Sequence, residues 1–124
     1  MKHLLTIIDG TWVSAADDDS ERFSNAYNLN WLLDSRDQSG NPQVTWYSSG
    51  IGSDKSAAPY LNGATARGID HLTREAYINL CSNFRIYQGN ERDKIYLFGF
   101  SRGAVVARAL SGLIETWGCI PLTY

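Results

Sequence analysis

The sequence is poor in the residues that mark several classes of function. It has two cysteines, Cys81 and Cys119, and two histidines, His3 and His71. Two cysteines make no disulfide framework. One bridge between them is an option, but two reduced, buried thiols are the simpler expectation. No CxxC or HxxxH spacing occurs, so no zinc site is expected, and the sequence asks for no other cofactor. Neither sign of charge dominates: 11 Lys and Arg stand against 13 Asp and Glu, a formal net charge of −2. The positive residues are not clustered, which argues against a nucleic-acid surface. Long apolar runs are absent too. The stretch from Ala104 to Ile114 contains Arg108 and falls far short of the ~20 residues of a membrane span. Near the start, Leu4 to Ile8 is too short for the core of a signal peptide, and Asp9-Gly10 interrupts it. Cytoplasm is the default location.

What is present suffices for a core. Hydrophobic residues make up 44% and aromatics 12%, with four tryptophans, so disorder is excluded as the main state. The length of 124 residues fits one domain at most. It is short for the motif described below.

Leu4 to Ile8 is a β-rich apolar run closed by a turn signal, and reads as a buried parallel strand. Asp17 to Glu21 reads as a solvated acidic loop without calcium-loop spacing. A helix is expected from Ser24, its cap, to Leu33, with Ala26, Leu29 and Leu33, widened by Leu32, on its apolar face. Gln43 to Tyr47 alternates and is a second strand. Ser48 to Gly68 is a long loop of the kind that is usually functional. Asp70 to Phe84 carries Ile69, Leu72, Ala76, Leu80 and Phe84 on one stripe, with Asp70 as N-cap. Lys94 to Phe98 is a continuous apolar run, predicting a strand buried on both faces. A helix from Arg102 or Gly103 to Trp117 turns Ala104, Ala107, Leu110, Leu113 and Ile114 inward. Alternation of strand and helix predicts an α/β fold with a parallel sheet and crossover helices.

The strongest chemical signal is Gly99-Phe100-Ser101-Arg102-Gly103, a G-x-S-x-G between an apolar strand and an Ala-rich helix. That is the setting of a nucleophile elbow. There the serine sits on a strained turn that lifts its Oγ above the sheet. Gly99 and Gly103 leave room for strand and helix to approach, and Ala104, Ala107 and Ala109 keep the helix slim. The helix N-terminus favours a developing oxyanion, with the Arg102 N–H as one donor. A second segment, Ile7 to Trp12, resembles the aspartyl-phosphate loop of haloacid-dehalogenase-type phosphatases. Ile7 stands where the nucleophilic Asp would be, so that chemistry is excluded. In an elbow hydrolase an early loop gives the second oxyanion donor, a place that Gly10 and Thr11 fit. The plain alternative is that Asp9 caps a turn.

Four blocks occur in order: I-D-G-T-W from Ile8, W-Y-S-S-G-I-G-S from Trp46, G-I-D-H-L-T-R-E-A-Y-I-N-L-C from Gly68, and D-K-I-Y-L-F-G-F-S-R-G-A-V-V-A-R-A-L from Asp93. Together they resemble the α/β-hydrolase family catalogued as domain of unknown function 2235, which includes phospholipase effectors of bacterial type VI secretion. The resemblance covers almost the whole chain. It implies a three-layer α/β-hydrolase core in which Ser101 is the nucleophile of a Ser-Asp-His triad. Asp9, Gly50 and Gly52 fall in loops near the site, Ile51 replacing the usual Val. It also implies an ester or phospholipid substrate, and secretion by a type VI system as an alternative to the cytoplasm.

The 23 residues after Ser101 contain neither His nor Asp, whereas in elbow hydrolases both follow the serine. Glu115 there lies behind the nucleophile. His3 is expected at the far end of the sheet and His71 in the first turn of a crossover helix, neither reaching Ser101. A serine without a base is a weak nucleophile. Residues 1–124 are therefore expected to be the N-terminal portion of a single hydrolase domain, stopping after the elbow helix and inactive or nearly so alone. Contact with a membrane surface would come from the region beyond it. The rival reading is a non-catalytic module that binds a partner or lipid, or self-associates through an incomplete sheet. A third is an unrelated α/β binding protein with a fortuitous motif. Arg102 either orients an anionic group or pairs with an acid such as Asp9. Arg108 is expected in a buried or half-buried structural pair. Trp12, Trp46, Tyr47 and Tyr60 fit an acyl pocket or, more simply, core and surface packing.

Overall fold

The apolar run at the start becomes the centre of the sheet. In the computed structural model, which describes residues 1–10, 23–50 and 66–119, strands β1 (His3–Ile8), β2 (Gln43–Ser48) and β3 (Lys94–Gly99) form one sheet in the order β2-β1-β3. Both pairings are parallel. His3 stands opposite Gln43 and Lys94, and Ile8 opposite Ser48 and Gly99. Every residue of β1 after His3 is buried. A central parallel strand covered on both faces needs such an unbroken apolar run.

Three helices complete the described fold: α1 (Asn25–Leu32), α2 (Ala66–Asn83) and α3 (Arg102–Trp117). Alternation along the strands divides the work. On one face Leu4 packs with Ala76, Leu80, Phe84 and Leu110, and Ile8 packs with Leu72 and Val106, so α2 and α3 share that face. On the other face lies α1. Its Ala26 is buried, and its Tyr27 ring meets Tyr47 of β2 edge-on at 5.9 Å. Ser24 caps α1 as the sequence predicts, accepting the Tyr27 N–H at 3.0 Å. The α/β class and the parallel sheet stand.

Several expectations change. Among the described residues β3 is a sheet edge, not a strand buried on both faces: Ile95 and Leu97 face α2 and α3, while Tyr96 and Phe98 are each 38% exposed. α2 begins at Ala66, ahead of Asp70, which sits inside the helix and pairs with Arg74 at 3.3 Å. Leu32 is 82% exposed and lies outside the apolar face of α1. On α3 the close approach is made by buried Gly103 and Val106, whereas Ala109 is exposed. Arg108 is exposed as well and is not a buried pair. Expectations for Thr11, Trp12, Asp17 to Glu21, Gly52 and Tyr60 fall outside the described residues.

Asp93 ties three segments together. Its carboxylate accepts the Lys2 N–H at 2.7 Å, the Arg85 N–H at 2.9 Å and the Tyr87 hydroxyl at 3.0 Å. Burial alone would raise its pKa. The Lys2 and Arg85 N–H groups, the Tyr87 hydroxyl and the Lys2 charge outweigh that and hold it below the usual carboxylate range. Cys81 and Cys119 are both free thiols. Among the described residues no helix is long and apolar enough to cross a membrane.

Candidate active site

The β3–α3 turn and the C-terminal end of β1 meet at one corner of the sheet. The Phe100 N–H donates to the Ile8 carbonyl at 3.0 Å, extending the β1–β3 ladder by one bond. At Ser101 the chain reverses with φ 56° and ψ −123°. Ser101 is the one described non-glycine residue with positive φ. A side chain held there stores of order 1–3 kcal/mol of backbone strain and persists only where its surroundings enforce it. The enforcing bonds are short: Gly103 N–H to Phe100 O at 2.9 Å and Ala104 N–H to Ser101 O at 3.0 Å start α3 at once. Ser101 itself is exposed, beside the exposed Phe100 and Val105.

The two elbow glycines are required by contact. A Cβ on Gly99 would lie 2.6 Å from the Ala104 Cα. One on Gly103 would lie 2.5 Å from the Asp9 carbonyl oxygen and closer still to that of Ile8. Gly10 abuts the same turn, since a Cβ there would meet the Phe100 ring at 2.9 Å and the Ser101 Cβ at 3.3 Å. Gly50, at φ 85°, closes the corner from the β2 side; a Cβ on it would lie 2.6 Å from the Asp9 carbonyl oxygen.

Asp9 is fully buried. Its Oδ1 accepts the Gly10 N–H at 2.7 Å, and its Oδ2 accepts the Tyr47 hydroxyl at 2.8 Å and the Ser24 hydroxyl. Burial, and then the Asp9 carboxyl group, push the Tyr47 hydroxyl well above the ordinary tyrosine range. The sequence predicted Asp9 beside the site, but gave no sign of Ser24 and Tyr47 as its partners. They lie 15 and 38 residues away and join it only through the fold. Tyr47 is thus an anchor for Asp9, and Trp46 packs into the α2 side of the core.

The structure therefore brings together Asp9, Gly10, Gly50, Gly99, Ser101 and Gly103, with Arg102 exposed as the first residue of α3. It does not bring in the histidines. His3 is at the opposite end of β1, roughly 17 Å of strand away from Ile8, where its Nε2 lies 3.6 Å from Asp37. His71 shares the site's end of the sheet, since neighbouring Leu72 packs on Ile8, but it is exposed with its Nδ1 3.8 Å from Glu75. Glu115 is exposed on α3. Among the described residues no cluster of three or more metal-binding side chains occurs.

At this corner a strained serine at a strand–helix junction is walled by the glycines of two other loops. The chain belongs to the family described as type VI secretion phospholipase effector Tle1-like, catalytic domain, whose family model matches residues 2–123. It is 32% identical over 133 aligned positions to the uncharacterized protein YEL023C of Saccharomyces cerevisiae, a match covering 96% of this chain and 18% of that protein. The chain thus spans less than a fifth of the length of the curated relative it matches. No solved structure matches it.

Proposed function

We propose that the chain carries the nucleophile half of a serine ester hydrolase site of the α/β-hydrolase type, directed at lipid esters such as phospholipids. The observation that carries this reading is the strained backbone of Ser101, a non-glycine residue at φ 56° where β3 turns into α3. The family membership supplies the substrate class. In the proposed reaction the Ser101 Oγ attacks the ester carbonyl and its proton passes to a base. The tetrahedral oxyanion is stabilised by N–H donors, one of them from Arg102 at the start of α3. Collapse expels the alcohol and leaves an acyl-serine, which water then hydrolyses. The loop after β1 is the proposed source of the second donor, the Gly10 N–H itself being taken up by Asp9 Oδ1.

Neither His3 nor His71 is aimed at Ser101. Without a base the serine is a weak nucleophile, so the isolated chain is expected to turn over esters slowly or not at all. An added base restores the first half of the reaction. Incubated with p-nitrophenyl butyrate and increasing imidazole, the wild-type chain becomes acylated on Ser101 at a rate that rises with imidazole, read by intact-protein and peptide mass. Ser101→Ala shows no such adduct. Equal behaviour of the two proteins at every imidazole concentration would sink the proposal.

A second reading is favoured by one observation. β3 is an edge strand with Tyr96 and Phe98 exposed on its uncovered face, and such edges recruit strands from other chains. In that reading the chain is a module that self-associates or binds a lipid surface or partner. Sedimentation of the wild type against Phe98→Lys tests it: a concentration-dependent dimer lost in the variant supports self-association, and a monomer at all concentrations opposes it.

A further inference from the structure

We infer that Asp9 is a positioning residue for Ser101, because it fixes the peptide that walls the serine turn. This rests on the serine reading above. A buried carboxyl group is unfavourable unless its oxygens are bonded. Asp9 meets that condition with donors from three directions: Tyr47 on β2, Ser24 at the start of α1, and its own neighbour Gly10. The first two are anchors. The third sets the orientation of the Gly10 peptide, and Gly10 is the residue that abuts Phe100 and Ser101. One side chain therefore links the frame of the fold to the wall of the serine turn. The same bond withdraws the Gly10 N–H from the donors open to an oxyanion, so that loop must offer a different N–H.

The test uses the imidazole-dependent acylation of Ser101 together with thermal melts. Asp9→Ala removes the hold on Gly10 and is expected to lower the acylation rate by about tenfold or more, as small misplacements at reacting centres do. Asp9→Asn keeps an oxygen for the Gly10 N–H and is expected to restore the rate to within about threefold of wild type. Tyr47→Phe removes only an anchor, so it lowers the melting temperature without the tenfold loss. The inference is overturned if Asp9→Ala acylates like wild type, or if the rates of all three variants simply follow their melting temperatures. Hydrogen exchange at the Gly10 amide gives an arm independent of how Asp9→Ala folds. Slow exchange in folded wild type supports the hold on Gly10, and exchange at the unprotected rate refutes it. If the wild type is never acylated, the serine reading fails, while the exchange arm still decides whether Asp9 fixes Gly10.

Discussion

Two glycines on one helix should respond oppositely to the same substitution. Gly103 sits in the first turn of α3, where a Cβ would lie 2.5 Å from the Asp9 carbonyl oxygen and 2.8 Å from the Ile8 carbonyl carbon. Those are backbone atoms at the end of the central strand and cannot rotate away. Bringing them to ordinary contact requires the start of α3 to retreat by roughly 1 Å. Overpacking of this kind costs about 1–3 kcal/mol, partly offset by the ~1 kcal/mol that Ala gains over Gly in a helix interior. The net expectation for Gly103→Ala is a loss of up to about 2 kcal/mol. Gly112 lies two and a half turns further on with nothing within 4 Å of a built Cβ. Gly112→Ala should therefore keep the helix gain and stabilise the protein by about 0.5–1 kcal/mol. Urea unfolding with a common slope reads both values. The melting temperatures should separate by roughly 8 °C, at about 4 °C per kcal/mol for a domain of this size. If Gly103→Ala stabilises as much as Gly112→Ala, the close approach of α3 to β1 is refuted, and the enforcement of the Ser101 turn with it.

Three further outcomes follow from the same geometry. Ser101→Gly should raise stability by about 1 kcal/mol by relieving the positive φ, while abolishing acylation; loss of stability in urea unfolding would argue against stored strain. Asp93 has a depressed folded-state pKa, so its contribution is present above its unfolded value near 3.8 and is lost as pH falls through the lower folded value. Asp93→Asn should accordingly be less stable than wild type at neutral pH and show a flatter decline below about pH 4 in acid-unfolding curves. Burial, with Cys81 close by, pushes the Cys119 thiol up to about 11, which leaves it over about a hundredfold less thiolate at pH 8.5 than a free cysteine. Its alkylation by iodoacetamide should be slower by a like factor, and alkylation at the rate of a free thiol would place Cys119 outside that environment.

The parts of the fold that were legible are those whose signals are local. β1 announces itself by an unbroken apolar run, α1 by the Ser24 cap, and the serine turn by two glycines set between a strand and a helix. β3 was misjudged because Tyr96, Leu97 and Phe98 have the same composition whether a strand lies at the centre or at the edge; only the strand order separates the cases. Gly68 weakens the helical signal ahead of Asp70, yet the helix runs back to Ala66. Arg108 is expected in a buried or half-buried pair, yet the helical period turns it outward. The bonds of Asp9 and Asp93 were beyond reach for another reason. Each carboxyl group answers a donor distant in sequence, Ser24 and Tyr47 for Asp9 and Lys2 for Asp93, and no local pattern encodes such a meeting.

The strand order also fixes when the corner can exist. β1 is made first, yet its partner on one side begins 40 residues later at Gln43 and its partner on the other 91 residues later at Lys94. Long closures of this kind are slow, because their entropy is lost before any contact repays it. During synthesis the most apolar of the three described strands must wait, half-paired, until β3 leaves the ribosome. Gly10 and Ser101 come together only at that moment. The serine turn is therefore the last part of this three-stranded sheet to be assembled.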